Sequence, residues 1–113
     1  MPDPDFTIKT GDTGSALQAT LENSGGTPVS IQGATVLFKM IPISGGTTIV
    51  AATATIDQIS ASTLTGQVHY NWATSDVQTS GLYLGEWEVT YSSGTVQTFP
   101  NGDPFRIRIN EDF

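Results

Sequence analysis

The chain has 113 residues, with four Lys+Arg against eleven Asp+Glu, a formal net charge of −7 and a pI near 4.1. That length holds one domain, its 37% hydrophobic content argues against a disordered chain, and its acidity excludes nucleic acid and anionic membrane as partners, because phosphate binding needs clustered Lys and Arg. Cysteine is absent, which removes disulfides, thiolate metal sites and a cysteine nucleophile.

Charged residues make up 13% of the chain, about half the usual ~25%, and Ser, Thr, Gly and Asn fill the gap. Long surface helices need Glu, Lys, Arg, Ala and Leu, so this composition points to an all-β domain with a neutral polar surface. Short alternating runs between Gly, Pro, Asn and Ser punctuation predict a sandwich or barrel. Residues 1–14 read as an N-terminal arm, 15–110 as the sandwich and 111–113 as a C-terminal tail. Within the arm, Phe6, Ile8 and Thr10 could form a short edge strand before the turn at Gly11-Asp12-Thr13-Gly14. The first residues lack the basic start and apolar stretch of a secretory leader, and no run approaches the ~18 apolar residues of a membrane span, so a cytosolic product is expected.

Leu17, Ala19 and Leu21 alternate with Gln18, Thr20 and Glu22, the period of a half-buried strand. A turn at residues 23–28 and a short apolar pair, Val29 and Ile31, follow. Residues 35–41 read as a strand with Val36, Phe38 and Met40 inward, ended by Pro42. Residues 47–56 are β-branched and apolar on both faces, so one face should meet the core and the other a second element or another chain. Residues 65–72 alternate again, with Val68, Tyr70 and Trp72 opposite Gln67, His69 and Asn71. Residues 73–80 are polar and turn-like, with room for one helical turn. The strongest strand is 82–91, with Tyr83, Gly85, Trp87, Val89 and Tyr91 on one face. A Ser92-Ser93-Gly94 hairpin returns it through 95–99, and residues 105–109 point Phe105, Ile107 and Ile109 inward. The count is seven or eight strands, with a core carried by Trp87, Tyr83, Phe105, Phe38 and Trp72.

Gly81-Leu82-Tyr83 opening a strand after Thr74-Ser75-Asp76 resembles the tyrosine corner of immunoglobulin-like domains. The continuation GLYLGEWEVTYSSGTVQTFP at 81–100, then Phe105-Arg106-Ile107-Arg108-Ile109, resembles the immunoglobulin-like domain at the N-terminus of bacteriophage baseplate upper proteins and in other phage tail proteins. The first half agrees, with Asp12-Thr13-Gly14-Ser15, a Gly-Gly-Thr-Pro-Val turn and the run from Gly33 to Met40. The resemblance covers about residues 10–110, and its motifs are structural, not catalytic. It implies an immunoglobulin-like antiparallel β-sandwich and a non-enzymatic structural protein of a phage virion, in the tail, baseplate or neck. It also implies other virion proteins as partners, a homo-oligomeric ring or other multi-copy assembly, and synthesis in the host bacterial cytoplasm. A capsid decoration or fibre-like protein with weak carbohydrate binding is the alternative.

The candidate chemistry is thin. His69, the single histidine, falls on an outward strand face with Asp57 or Asp76 as acid partners, but no nucleophile elbow accompanies it. Glu86 and Glu88 lie two apart on one face, about 7 Å between carboxylates, and are expected to face Arg106 or Arg108 across the sheet. Asp3, Asp5 and Asp12, or Asn101 and Asp103, offer oxygens to calcium without a calcium-loop spacing. No cofactor is expected. Expected subunit contacts are Phe6 and Phe113 on the terminal arms, and Ile43, Ile49 and Val50 around the run at 47–56.

Overall fold

The structure, a computed structural model, describes residues 5–60, 62–100 and 102–111. Phe113, Asp3 and Asn101, and the contacts expected of them, lie outside the described residues. Among the described residues nine strands form two sheets: β1 (Phe6–Lys9), β2 (Leu17–Thr20), β3 (Thr35–Pro42), β4 (Val50–Thr53), β5 (Thr55–Ile56), β6 (Gln67–Tyr70), β7 (Gly81–Thr90), β8 (Val96–Phe99) and β9 (Phe105–Asn110). The larger sheet runs β1-β9-β7-β3-β4, with β8 also on β7; the smaller runs β2-β6-β5. A short 3-10 helix, Thr74–Val77, bridges the two sheets. Among the described residues no helix is long and apolar enough to cross a membrane.

Period-two patterning drives each element. β7 alternates half-buried and buried positions along almost its whole length, with Tyr83, Gly85, Trp87 and Val89 inward. β3 pairs with it antiparallel over eight positions, from Thr35 opposite Thr90 to Pro42 opposite Tyr83. The other edge of β7 is shared. β8 takes Trp87 to Thr90, and β9 takes Gly81 to Gly85. The proline-bounded segment at 100–104 separates the two, because Pro supplies no ladder donor.

The short edge strand expected within residues 1–14 forms: β1 lies at the edge of the larger sheet and pairs in parallel with β9, Phe6 opposite Ile107 and Ile8 opposite Ile109. One expectation about elements is corrected. Residues 47–56 do not form one strand. β4 joins the larger sheet against β3, and β5 joins the smaller against β6. The chain changes sheet at Ala54, which is buried and whose N–H donates to the carbonyl of Val36. Apolar residues on both faces of that run reflect this crossing. Val50 faces the core of one sheet, and Ile56 packs against the core from the other.

The core lies between the sheets. Phe38 is fully buried, Trp87, Trp72 and Tyr83 nearly so, and Phe105 is half-buried against them. Phe38 sits at the hub, with ring centroids 4.9 Å from Tyr70, 5.1 Å from Trp87 and 5.6 Å from Trp72. Burying each such ring contributes ~1.5–3 kcal/mol. Gly85 makes room for the Phe105 ring, since a Cβ there would lie 2.5 Å from its Cζ.

Tyr83 completes the corner read from the sequence. Its hydroxyl donates to the carbonyl of Thr79 at 2.7 Å, four residues upstream, and burial raises the phenol pKa. The two-sheet packing, the corner and the pairing of first with last strand make the chain an immunoglobulin-like β-sandwich. Tyr83→Phe keeps the ring and removes the bond, so it is expected to cost about 1 kcal/mol. A urea titration should show a lower midpoint with an unchanged slope. An unshifted midpoint would mean that the corner bond contributes nothing net.

Candidate functional site

Those site residues foreseen from sequence that lie among the described residues are placed as follows. His69 stands on the outer face of the smaller sheet, half-buried. Its Nδ1 lies 2.8 and 2.9 Å from the two carboxylate oxygens of Asp57, the residue just after β5. The pair lies in an open hollow with Gln18, Thr20, Leu64 and Gln67. Of the two acids considered for His69, only Asp57 meets it. The Asp76 carboxylate instead accepts the Tyr70 hydroxyl at 2.6 Å and the Ala73 N–H at 2.8 Å, closing the start of the 3-10 helix. Burial, and then the bond to Asp76, push the Tyr70 phenol pKa up.

Glu86 and Glu88 share the outer face of β7, but the partner expected for them is corrected. Glu88 pairs with Lys39 of β3 at 2.7 Å, while the register sets Arg106 and Arg108 opposite Leu84 and Leu82. The reason is strand length. β9 ends its pairing with β7 at Gly85, so neither glutamate has a β9 residue opposite. Asp5 is occupied by backbone, its Oδ2 accepting the Arg106 N–H at 2.8 Å. Among the described residues no group of three or more His, Cys, Asp or Glu side chains converges as metal ligands would.

The contact residues divide. Ile43 and Ile49 flank the β3–β4 turn and are 41% and 44% exposed, large for isoleucine in a folded domain. They line a groove of about 470 Å³ at the end of the sandwich, together with Leu82 and Tyr83. Val50 is a correction. It is 4% exposed and faces the core opposite Met40, because the alternation that turns Ile49 out turns Val50 in. Phe6 stacks on Trp72 at 5.8 Å and is half-buried, part of this domain's own packing.

A cleft of about 540 Å³ opens between β2 and the break between β8 and β9. Its floor is apolar, with Leu17, Trp87, Phe99 and Phe105, and its rim carries Asp5, Gln18, Thr20, Glu22 and Asn23. Sequence reasoning missed this cleft, because it is made by residues some 80 positions apart. It also missed Gln58, the one buried polar side chain among the described residues. Nothing in the alternation marks Gln58, which lies in a loop.

No family model matches the chain, and no curated protein does. Among solved structures the fold is similar to that of CopC from Methylosinus trichosporium OB3b, with a TM-score of 0.53 over 99% of this chain and 89% of that one. The two share 10% of their residues, so the likeness speaks to the fold and not to the task.

Proposed function

We propose that this chain is a non-enzymatic structural module of a bacteriophage virion, in the tail, baseplate or neck, acting through contacts among multiple copies and with other virion proteins. One observation carries the contact role. Ile43 and Ile49 project beside Leu82 at one end of a sandwich whose core is already full. An apolar outcrop of that kind on a rigid domain is what subunit contact uses. The resemblance of residues 81–109 to phage tail domains supplies the setting. Low charge density helps as well, since few Lys and Glu side chains have to be stripped of water at an interface.

Antibody labelling of purified particles tests the reading. The label is expected on the tail, baseplate or neck in a ring of copies. Absence of the chain from purified particles would overturn it. The cleft favours a second reading, a capsid decoration or fibre-like protein with weak carbohydrate binding. Half-buried Phe6 and Phe105 beside Gln18, Thr20 and Asn23 offer ring faces and hydrogen-bonding groups together. That reading places the label over the shell, following its local symmetry.

A further inference from the structure

β2 is an edge strand: the smaller sheet runs β2-β6-β5, and β2 pairs there with β6. The register fixes which of its backbone groups are used. The Leu21 N–H donates to the Gly66 carbonyl at 2.8 Å, one step beyond Thr20 opposite Gln67. Antiparallel pairs alternate between bonded and unbonded. Leu17 and Ala19 therefore bond to β6, while Gln18 and Thr20 aim their N–H and C=O groups away from it. Among the described residues nothing bonds to those outward backbone groups. The strand reads Leu-Gln-Ala-Thr, with no Lys and no Pro to blunt the edge.

The apolar cleft lies along this same edge. Residues 17–24 form one side, and Trp87, Phe99 and Phe105 lie at its floor. It opens where six strands of the larger sheet face three of the smaller. A further strand paired with β2 would lie ~4.8 Å from it. Alternate side chains of that strand would point the same way as Leu17 and Ala19, over the floor. Charge selects among extended segments. Asp5 and Glu22 stand on the rim, and no Lys or Arg lines the cleft among the described residues. Neither carboxylate pairs with a cation among those residues. The Asp5 Oδ2 accepts the Arg106 N–H, a backbone bond that leaves the carboxylate its charge.

We infer that the β2 edge and its cleft take up an extended segment of a different protein, apolar at alternate residues and bearing Lys or Arg, as an added strand of the smaller sheet. The inference rests on the reading above of a module that contacts other proteins, and it names the chemistry of one such partner. A second folded copy does not fit. All four Lys and Arg of the chain lie in β1, β3 and β9, already paired in the larger sheet, so another copy has no basic segment to give. A glycan would cover the rings but has no row of amide donors and carbonyl acceptors to match the edge.

The probe is the end-blocked peptide Lys-Val-Thr-Val-Thr-Val-Lys, titrated against the full chain and followed by amide hydrogen exchange. Binding is expected, with new protection at the Gln18 and Thr20 amides and none at Leu17 and Ala19, which β6 already holds. The isomer Lys-Val-Val-Val-Thr-Thr-Lys breaks the alternation, and Glu-Val-Thr-Val-Thr-Val-Glu reverses the charge. Each should bind about tenfold or more weakly. Thr20→Pro removes an edge donor that the fold does not use, a change edge strands tolerate. It is expected to weaken the peptide about tenfold with an unchanged thermal melt. Glu22→Lys, at an exposed position, is the second variant and should weaken it about fivefold in low salt and less in high salt. No binding, protection away from Gln18 and Thr20, or binding indifferent to both variants would overturn the inference. So would self-association abolished by Thr20→Pro, which gives the edge to a second copy, or maltohexaose bound in the cleft in place of the peptide. A chain that ignores the peptide yet is present in phage particles would defeat the inference and leave the virion reading standing. Peptide capture by a chain absent from particles would do the reverse.

Discussion

Replacing Trp87 by alanine is expected to cost about 3–5 kcal/mol and to lower the melting temperature by roughly 10–25 °C. Trp87 is 2% exposed and lies between Phe38 and Phe99 in register, on the strand that pairs with β3, β8 and β9. Its ring is 5.1 Å from that of Phe38 and 6.0 Å from that of Phe105. Truncation removes the transfer contribution and leaves a cavity that two rigid sheets cannot collapse to fill. Domains of this size are stable by ~5–15 kcal/mol in all, so a fifth or more of the margin would go. The variant retains Trp72, 4% exposed and 5.6 Å from Phe38, whose fluorescence reports unfolding of the same core. A near-unchanged melt would contradict the central placement of Trp87.

Gln58→Leu is expected to cost about 2–5 kcal/mol although it makes the interior more apolar. The Gln58 carbonyl oxygen accepts the Ile31 N–H at 2.8 Å and the Gly66 N–H at 3.1 Å, and its amide donates to Ser30 Oγ and to the Ser60 carbonyl, both at 2.9 Å. Leucine fills a similar volume but strands two buried backbone donors, each worth about 1–3 kcal/mol when left unmade. Ser30→Ala, which removes a single acceptor, should cost less than half as much. Gly66 sharpens the case. It holds φ at +76°, and a Cβ there would lie 2.7 Å from the Leu21 carbonyl oxygen, so the loop that Gln58 pins cannot shift toward β2. Hydrogen exchange at Ile31 and Gly66, read with a urea titration, checks the claim. A loss below about 1 kcal/mol with both amides still protected would remove Gln58 from this role.

The strands were legible where one face is buried and the other wet. β7 shows this best: Tyr83, Gly85, Trp87 and Val89 alternate with Leu84, Glu86 and Glu88, and a one-residue slip would invert the whole strand. Residues 47–56 were less legible, because period two cannot show where a chain leaves one sheet for the other. The crossing at Ala54 is fixed by its bond to Val36, a residue 18 positions away. Ile31 and Gln58 are buried in loops, where no period exists to mark them. The Lys39–Glu88 pair depends on where β9 stops along β7, a matter of tertiary register. Exposure of Ile43 and Ile49 followed from their flanking a glycine turn, whereas the burial of Val50 needed the parity that β4 acquires from β3.

The parallel ladder between β1 and β9 has a mechanical consequence. Both strands run the same way, so the chain enters the pair at Phe6 and leaves it at Asn110, at the opposite end. Tension applied across those two points therefore acts lengthwise on all four register pairs together and does not peel them one at a time. Rupture must break the whole ladder in a single event, which makes the rate of forced opening low for so short a seam.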